Sequence, residues 1–262
     1  MRILVTNDDG VHAPGLKILM GIATEFAGEN GEVWTVAPLT EKSGASHCIS
    51  FMNPVMISRV APRVFAVEGT PADCVLAGLF DVMEGKPPDL VLSGINRGNN
   101  AGENAVYSGT VGAALEAALH GFKAIALSQY FGQGNTNLAD PFEASRFHGL
   151  DVVSALVDKA EWHDGEYGQF INVNFPPCSA SFVKGTRITR QGYRINGGFK
   201  VKPHLSPSNR KYLYITGSNQ LAAPEPETDV GANMGGFISV TPMRADLTAH
   251  DALEGLRSRF EV

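Results

Sequence analysis

Short apolar runs alternate with stretches whose apolar residues recur at helical spacing, and this continues as far as Phe175. Ile3–Val5 reads as a buried strand, and after Pro14 the residues Leu16, Leu19, Met20, Ala23 and Phe26 fall on one helical face. Pro14 near the start and Gly28 past the end bracket that helix at about Pro14 to Ala27. The alternation repeats. Strands are predicted at Val33–Ala37, Val64–Val67, Leu90–Leu92, Ala124–Leu127 and Ile171–Phe175. Helices are predicted after the capping sequence Thr70-Pro71-Ala72-Asp73, over Thr110–His120 and over Phe142–Lys159. Strands separated by helices form right-handed crossovers, so the expected fold is a Rossmann-like, mostly parallel α/β sheet flanked by helices.

After Pro176-Pro177 the pattern changes. Gly, Pro and Asn punctuate short strand-like runs such as Tyr212–Thr216 and Phe237–Thr241, which predicts hairpins, and Ala249–Phe260 predicts a tail helix. Residues 1–180 are therefore taken as an α/β core carrying the chemistry and 181–262 as a hairpin-rich extension. The two are expected to form one continuous domain, with the extension serving oligomerisation through its strand edges.

A chain of 262 residues buries a full core without staples. Its formal net charge of -6 argues against a broad grip on nucleic acid, though a local metal ion could still draw a small phosphate ester. Cys48, Cys74 and Cys178 are widely spaced, with no CxxC, which suits a reducing compartment and excludes a zinc-finger pattern. The opening MRILVTNDDG is not a signal peptide, and no apolar stretch approaches the ~20 residues of a membrane span. The expectation is a cytoplasmic protein with no membrane contact.

Four constellations follow strands or open a helix. Asn7-Asp8-Asp9-Gly10 sits where ligands bind in open α/β sheets, beyond a strand's carboxyl end. Neighbouring residues of a strand face opposite ways, so both carboxylates converge only if the chain turns, as Gly10 permits. Two acids without His or Cys make a hard oxygen site for Mg²⁺ or Mn²⁺; the same residues would also make a solvated turn with a capping Asp. Ser43 and Gly44, in Lys42–Ser46, could bring a hydroxyl or backbone N–H to a metal or anion, or form a plain surface loop. In Ser93–Asn100, Asn96 offers a neutral amide oxygen to a metal and Asn99 an amide to a phosphate or sugar, against an ordinary Asn/Gly turn. Ser108-Gly109-Thr110 opens a helix, so its free N–H groups make an anion site or simply a cap. No GxxxxGK[ST] is present, which excludes a Walker-type site.

The stretches NDDGVHAPG, SGAS, EGTPADCV, PDLVLSGIN, YSGTVGAALEAALHG, INVNFP and TDVGANMGGFISVTPMRADLTAH run in order over nearly the whole chain. In these the sequence resembles the SurE family of 5'/3'-nucleotidases. The resemblance implies that Asp8, Asp9, Ser43 and Asn96 bind one divalent cation per subunit, with Asp8, Asp9 and Asn96 catalytic. It also implies phosphate contacts from Ser108-Gly109-Thr110, and the residue chemistry above adds Ser43, Gly44 and Asn99 as phosphate-binding candidates. Nucleoside monophosphates, and in some members short polyphosphate, are the implied substrates, and a homodimer or homotetramer the implied assembly. Either Asp8 or Asp9 could double as base or nucleophile. Asn99-Asn100 and Phe131–Asn137 look individual to this chain and are expected to bear on base preference.

The motifs taken without the resemblance also allow a non-catalytic Mg²⁺-dependent nucleotide-binding module. A receiver domain would need an acceptor Asp after a central strand, where this chain has Ser93-Gly94-Ile95-Asn96. A haloacid-dehalogenase phosphatase needs Asp-x-Asp, and here the two acids are adjacent.

Overall fold

In the computed structural model, which describes residues 1–162, 165–194, 197–217 and 225–261, the first apolar run is strand β1 (Arg2–Thr6). Ile3 and Val5 face one core cluster and Leu4 the other, so the period-two alternation of a single strand feeds both faces of the sheet. Helix α1 (Pro14–Ala27) follows, then β2 (Glu32–Pro38), β3 (Ile57–Ala61) and β4 (Val64–Val67). Helix α2 (Pro71–Ala77) starts with the expected capping box: Thr70 Oγ1 accepts from Asp73 N–H at 3.2 Å, and Asp73 Oδ2 accepts from Thr70 N–H at 2.8 Å.

The chain continues through β5 (Leu90–Arg97), α3 (Asn104–Tyr107), α4 (Gly109–Leu119), β6 (Ala124–Gln129), α5 (Glu143–Lys159) and β7 (Phe170–Phe175). Helices α1 and α5 cover one face, and α2 and α4 cover the other. Ala113, Ala114, Ala117 and Ala118 are buried in α4, and side chains this small let the helix lie close to the sheet.

Beyond Phe175 come β8 (Thr186–Ile188), β9 (Lys200–Leu205), β10 (Lys211–Thr216), α6 (Asp229–Met234), β11 (Ile238–Met243) and α7 (His250–Phe260). The main sheet has nine strands in the order β3-β4-β2-β1-β5-β6-β7-β11-β8. Every pair from β4 to β7 is parallel; β11 lies antiparallel to β7, and β3 antiparallel to β4. The hairpin expected in the C-terminal region is β9–β10, a two-stranded antiparallel sheet of its own.

Three features differ from expectation. Strand β5 runs on to Arg97, so Asn96 belongs to a strand end and not to a loop. The C-terminal residues do more than append a hairpin, because β11 and β8 extend the main sheet itself. Edge strands β3 and β8 carried no alternation signal, since their side chains are nearly all exposed.

The topology fixes where a ligand can sit. From β1 the chain winds out one way through β2 and β4, and the other way through β5, β6 and β7. Order therefore reverses between β1 and β5, and the crevice beyond their carboxyl ends is the binding position of such sheets. Among the described residues no helix is long and apolar enough to cross a membrane.

Candidate functional site

At the end of β1 the chain turns sharply. Asn7 Nδ2 donates to Gly10 O at 3.0 Å, and Gly10 takes φ +100°, a conformation that residues with a Cβ rarely adopt. Lys42 N–H donates to Asp8 O at 2.7 Å, which ties the loop after β2 to the same turn.

The turn brings the two carboxylates to different surroundings. Asp8 is buried: its Oδ1 accepts from Thr110 Oγ1 at 2.7 Å and its Oδ2 from Thr110 N–H at 3.2 Å. Burial pushes its carboxyl up to about 6, opposed by the Thr110 hydroxyl bond and assisted by the charge of Asp9. Asp9 Oδ2 accepts from Arg97 N–H at 2.9 Å. Burial raises its carboxyl too, with the Arg97 bond opposing and the charge of Glu41 adding. Neither acid forms an ion pair among the described residues.

Asn96 reaches the site because the β5–β6 register slips between Ser93 and Asn96, an irregularity that re-aims the strand end. The Gly94–Ile95 peptide within this stretch is cis. Asn96 Nδ2 donates to Gly98 O at 3.0 Å, which leaves the amide oxygen as the group to accept or ligate. Ser43 Oγ donates to Glu41 Oε1 at 2.8 Å and keeps its lone pairs.

Asp8, Ser43 and Asn96 line one cavity of about 370 Å³, with Asp9 adjoining it through Arg97. The donor set is carboxylate, hydroxyl and amide oxygen. Among the described residues no cluster of three His, Cys, Asp or Glu competes as a metal site. Two raised carboxylates without a partner cation, beside neutral oxygens, fit a hard divalent ion.

Of the expected phosphate contacts, Ser43, Gly44, Asn99 and Ser108 line the same cavity. Thr110 and Gly109 lie behind it. Thr110 is fully buried with its hydroxyl on Asp8, and a Cβ on Gly109 would stand 3.0 Å from Asp8 Cβ and 3.2 Å from Asp8 Oδ2. Ser108 caps α4, its Oγ accepting from Val111 N–H at 3.0 Å. The anion that the α4 N-terminus already faces is thus Asp8 itself.

Asn100 is a brace. Its N–H donates to Asn174 Oδ1 at 2.7 Å, its carbonyl accepts from Asn172 Nδ2 at 2.8 Å, and its Nδ2 donates to Ser128 Oγ at 2.8 Å. Residues 131–137 do not line the cavity; Phe131 packs edge-on to Phe142 and under Arg97. The sequence reading missed Tyr107 and Phe199, which meet edge-to-face at 5.0 Å on the cavity wall. It also missed Arg194 and Asp229, which hold the loop carrying Asn99. No signal in the sequence marked these two, an Arg and an Asp in turn-rich segments, as buried.

The family model for "Survival protein SurE" matches residues 3–197. The chain belongs to the SurE family. The match takes in every residue that lines the cavity except Phe199 and Gly217. Among SurE relatives, a protein of Cereibacter sphaeroides named 5'-nucleotidase SurE is 58% identical over 98% of this chain and 99% of its own length. Another so named, from Ruegeria pomeroyi, is 57% identical with the same coverage. The crystal structure of a SurE protein from Aquifex aeolicus superposes with a TM-score of 0.81 at 34% identity, covering 98% of this chain and 99% of that one.

Proposed function

We propose that this protein is a divalent-metal-dependent phosphatase that hydrolyses nucleoside 5'-monophosphates to nucleoside and phosphate. Nucleoside 3'-monophosphates and short polyphosphate are proposed as further substrates. The observation that carries the reading is the single cavity in which Asp8, Ser43, Asn96, Asn99 and Ser108 meet beside an aromatic pair. The names of the bacterial relatives support the substrate class.

In this reading Asp8, Asp9, Ser43 and Asn96 hold one Mg²⁺ or Mn²⁺ per subunit. When bound, the cation supplies positive charge to the phosphoryl oxygens and favours ionisation of an attacking water. The chain does the positioning. Thr110 holds Asp8 by two hydrogen bonds and Arg97 N–H holds Asp9, so the carboxylates are set before any ligand arrives. Ser43, Gly44, Asn99 and Ser108 face the phosphate, while the N-terminus of α4 serves Asp8. Tyr107 and Phe199 offer ring faces to the base, a contact worth roughly 1–3 kcal/mol per base in stacked complexes. Three free cysteines suit the cytoplasm. The exposed apolar residues of β9–β10 suit a homodimer or homotetramer.

The test is phosphate release from 5'- and 3'-nucleoside monophosphates, polyphosphate and p-nitrophenyl phosphate, each with Mg²⁺, Mn²⁺ or chelator. The expected result is metal-dependent turnover highest on 5'-monophosphates, with Phe199→Ala raising KM for nucleotides and leaving polyphosphate, which has no ring to stack, unchanged. Nucleotide binding without phosphate release under any metal would make the protein a binding module instead.

A further inference from the structure

Arg194 is 1% exposed and carries its guanidinium into the loop between β5 and α3. Its Nη2 donates to Asn99 Oδ1 at 2.8 Å, and its Nη1 donates to Ala101 O at 3.0 Å and to Glu103 Oε1 at 3.2 Å. Two further donors reach the same Asn99 oxygen: Asn104 Nδ2 at 3.2 Å and Ala101 N–H at 3.4 Å. A guanidinium only donates, so the atom facing it must be the amide oxygen; the flipped amide would set its own N–H groups against a cation.

Nδ2 of Asn99 is then the atom left over. It donates to nothing among the described residues, and Asn99 lines the cavity. An amide oxygen presented there would repel a phosphate, whereas an amide N–H attracts one.

We propose that Arg194 is a positioning residue that orients the Asn99 amide so that Nδ2 donates to a phosphate in the cavity. The proposal rests on the phosphatase reading above and adds a residue from outside the parallel core. The neighbouring contacts brace the arrangement. Glu103 Oε2 accepts from Arg194 N–H at 3.2 Å, and Gln191 Nε2 donates to Gly102 O at 2.9 Å. Asp229 takes N–H bonds from Gly102 and Gly192, both at 2.8 Å, and so clamps the two segments together. Arg194 Nε has no partner among the described residues, so the side chain is held in the interior by its Nη contacts.

The experiment compares wild type, Asn99→Ala, Arg194→Met, Arg194→Lys and the Asn99→Ala/Arg194→Met pair in saturating Mg²⁺. Inorganic phosphate is titrated by calorimetry, and KM, kcat and melting temperature are measured alongside. Asn99→Ala and Arg194→Met should each weaken phosphate on the order of tenfold, the loss of one hydrogen bond to a charged group. KM for a nucleoside 5'-monophosphate should rise more than kcat falls, and Arg194→Lys should recover part of the loss. The pair should be no worse than Asn99→Ala alone, because both changes remove one interaction. Additive losses would overturn the proposal. So would unchanged phosphate affinity in Asn99→Ala, or a lowered melting temperature with unchanged phosphate affinity in Arg194→Met. Should Arg194→Met not fold, the same cycle is run with Arg194→Lys. Absence of turnover in wild type would count against the phosphatase reading, while the phosphate titration still decides the role of Arg194.

Discussion

Asp8 shows how a single side chain is tuned by where the chain leaves it. The residue lines the cavity with Thr110 behind it, and burial raises its carboxyl from the ordinary 3.8 to about 6. Between those values the folded, metal-free chain binds a proton that the unfolded chain has already released. Stability therefore falls as pH rises through that window and stays low above it. The cost approaches about 3 kcal/mol at 1.36 kcal/mol per pH unit. Comparing wild type with Asp8→Asn in chelator isolates this effect, since the variant cannot titrate there. The lost acceptor for Thr110 N–H is an offset that pH does not move. The melting temperature of the variant relative to wild type should climb from pH 4 to pH 7; a difference that stays flat would show that Asp8 ionises freely. The acidic pair was legible in the sequence because both its chemistry and its turn are local. The bond from Thr110 spans 102 positions, and nothing in either segment announces it.

Helices and central strands were readable because burial leaves a pattern, a 3.6-residue period on α1 and near-continuous apolarity on β1, the start of β5 and β6, whereas α4 is buried on nearly every side. Edge strands β3 and β8 were not, since exposed side chains carry no period. The one-turn α3 is too short to show a repeat. How elements meet was also hidden, and α4 makes the point. At its first residue, Gly109, a Cβ would stand 2.9 Å from Pro71 Cγ as well as crowding Asp8. Gly109→Ala should keep the fold, because alanine is favoured in a helix, yet displace the Asp8 carboxylate. A displacement near 1 Å costs on the order of 100-fold in rate, so kcat/KM should drop by about that factor in a protein that still melts cooperatively. Near-normal turnover in the folded variant would mean that Asp8 has room to spare.

For the whole molecule, the parallel sheet, the hairpin and the tail helix followed from patterning, whereas the return of β11 beside β7 did not. A strand's neighbour is chosen by tertiary packing, and Ile238–Met243 reads the same in a hairpin or a central sheet. The extension also supplies Phe199, Arg194 and Asp229, so the site draws on both halves of the chain. Apolar side chains remain uncovered on it: Leu213 and Ile215 on β10, and Leu256 and Phe260 on α7, which buries no residue. The proposed oligomer would cover these side chains. Light scattering should show an oligomer whose mass falls when Leu213 and Ile215 are both changed to Glu or when residues 249–262 are removed; an unchanged mass in both would place the interface elsewhere. The central claim, that the acidic turn binds a hard cation on which the chemistry depends, is tested most directly by calorimetric titration of Mn²⁺ into wild type and Asp9→Asn. This substitution keeps an acceptor for Arg97 N–H and removes one charge. The account predicts one binding event per chain in wild type and an affinity at least about tenfold weaker in the variant, with no loss of melting temperature in chelator. Equal Mn²⁺ affinity in the two proteins would contradict it.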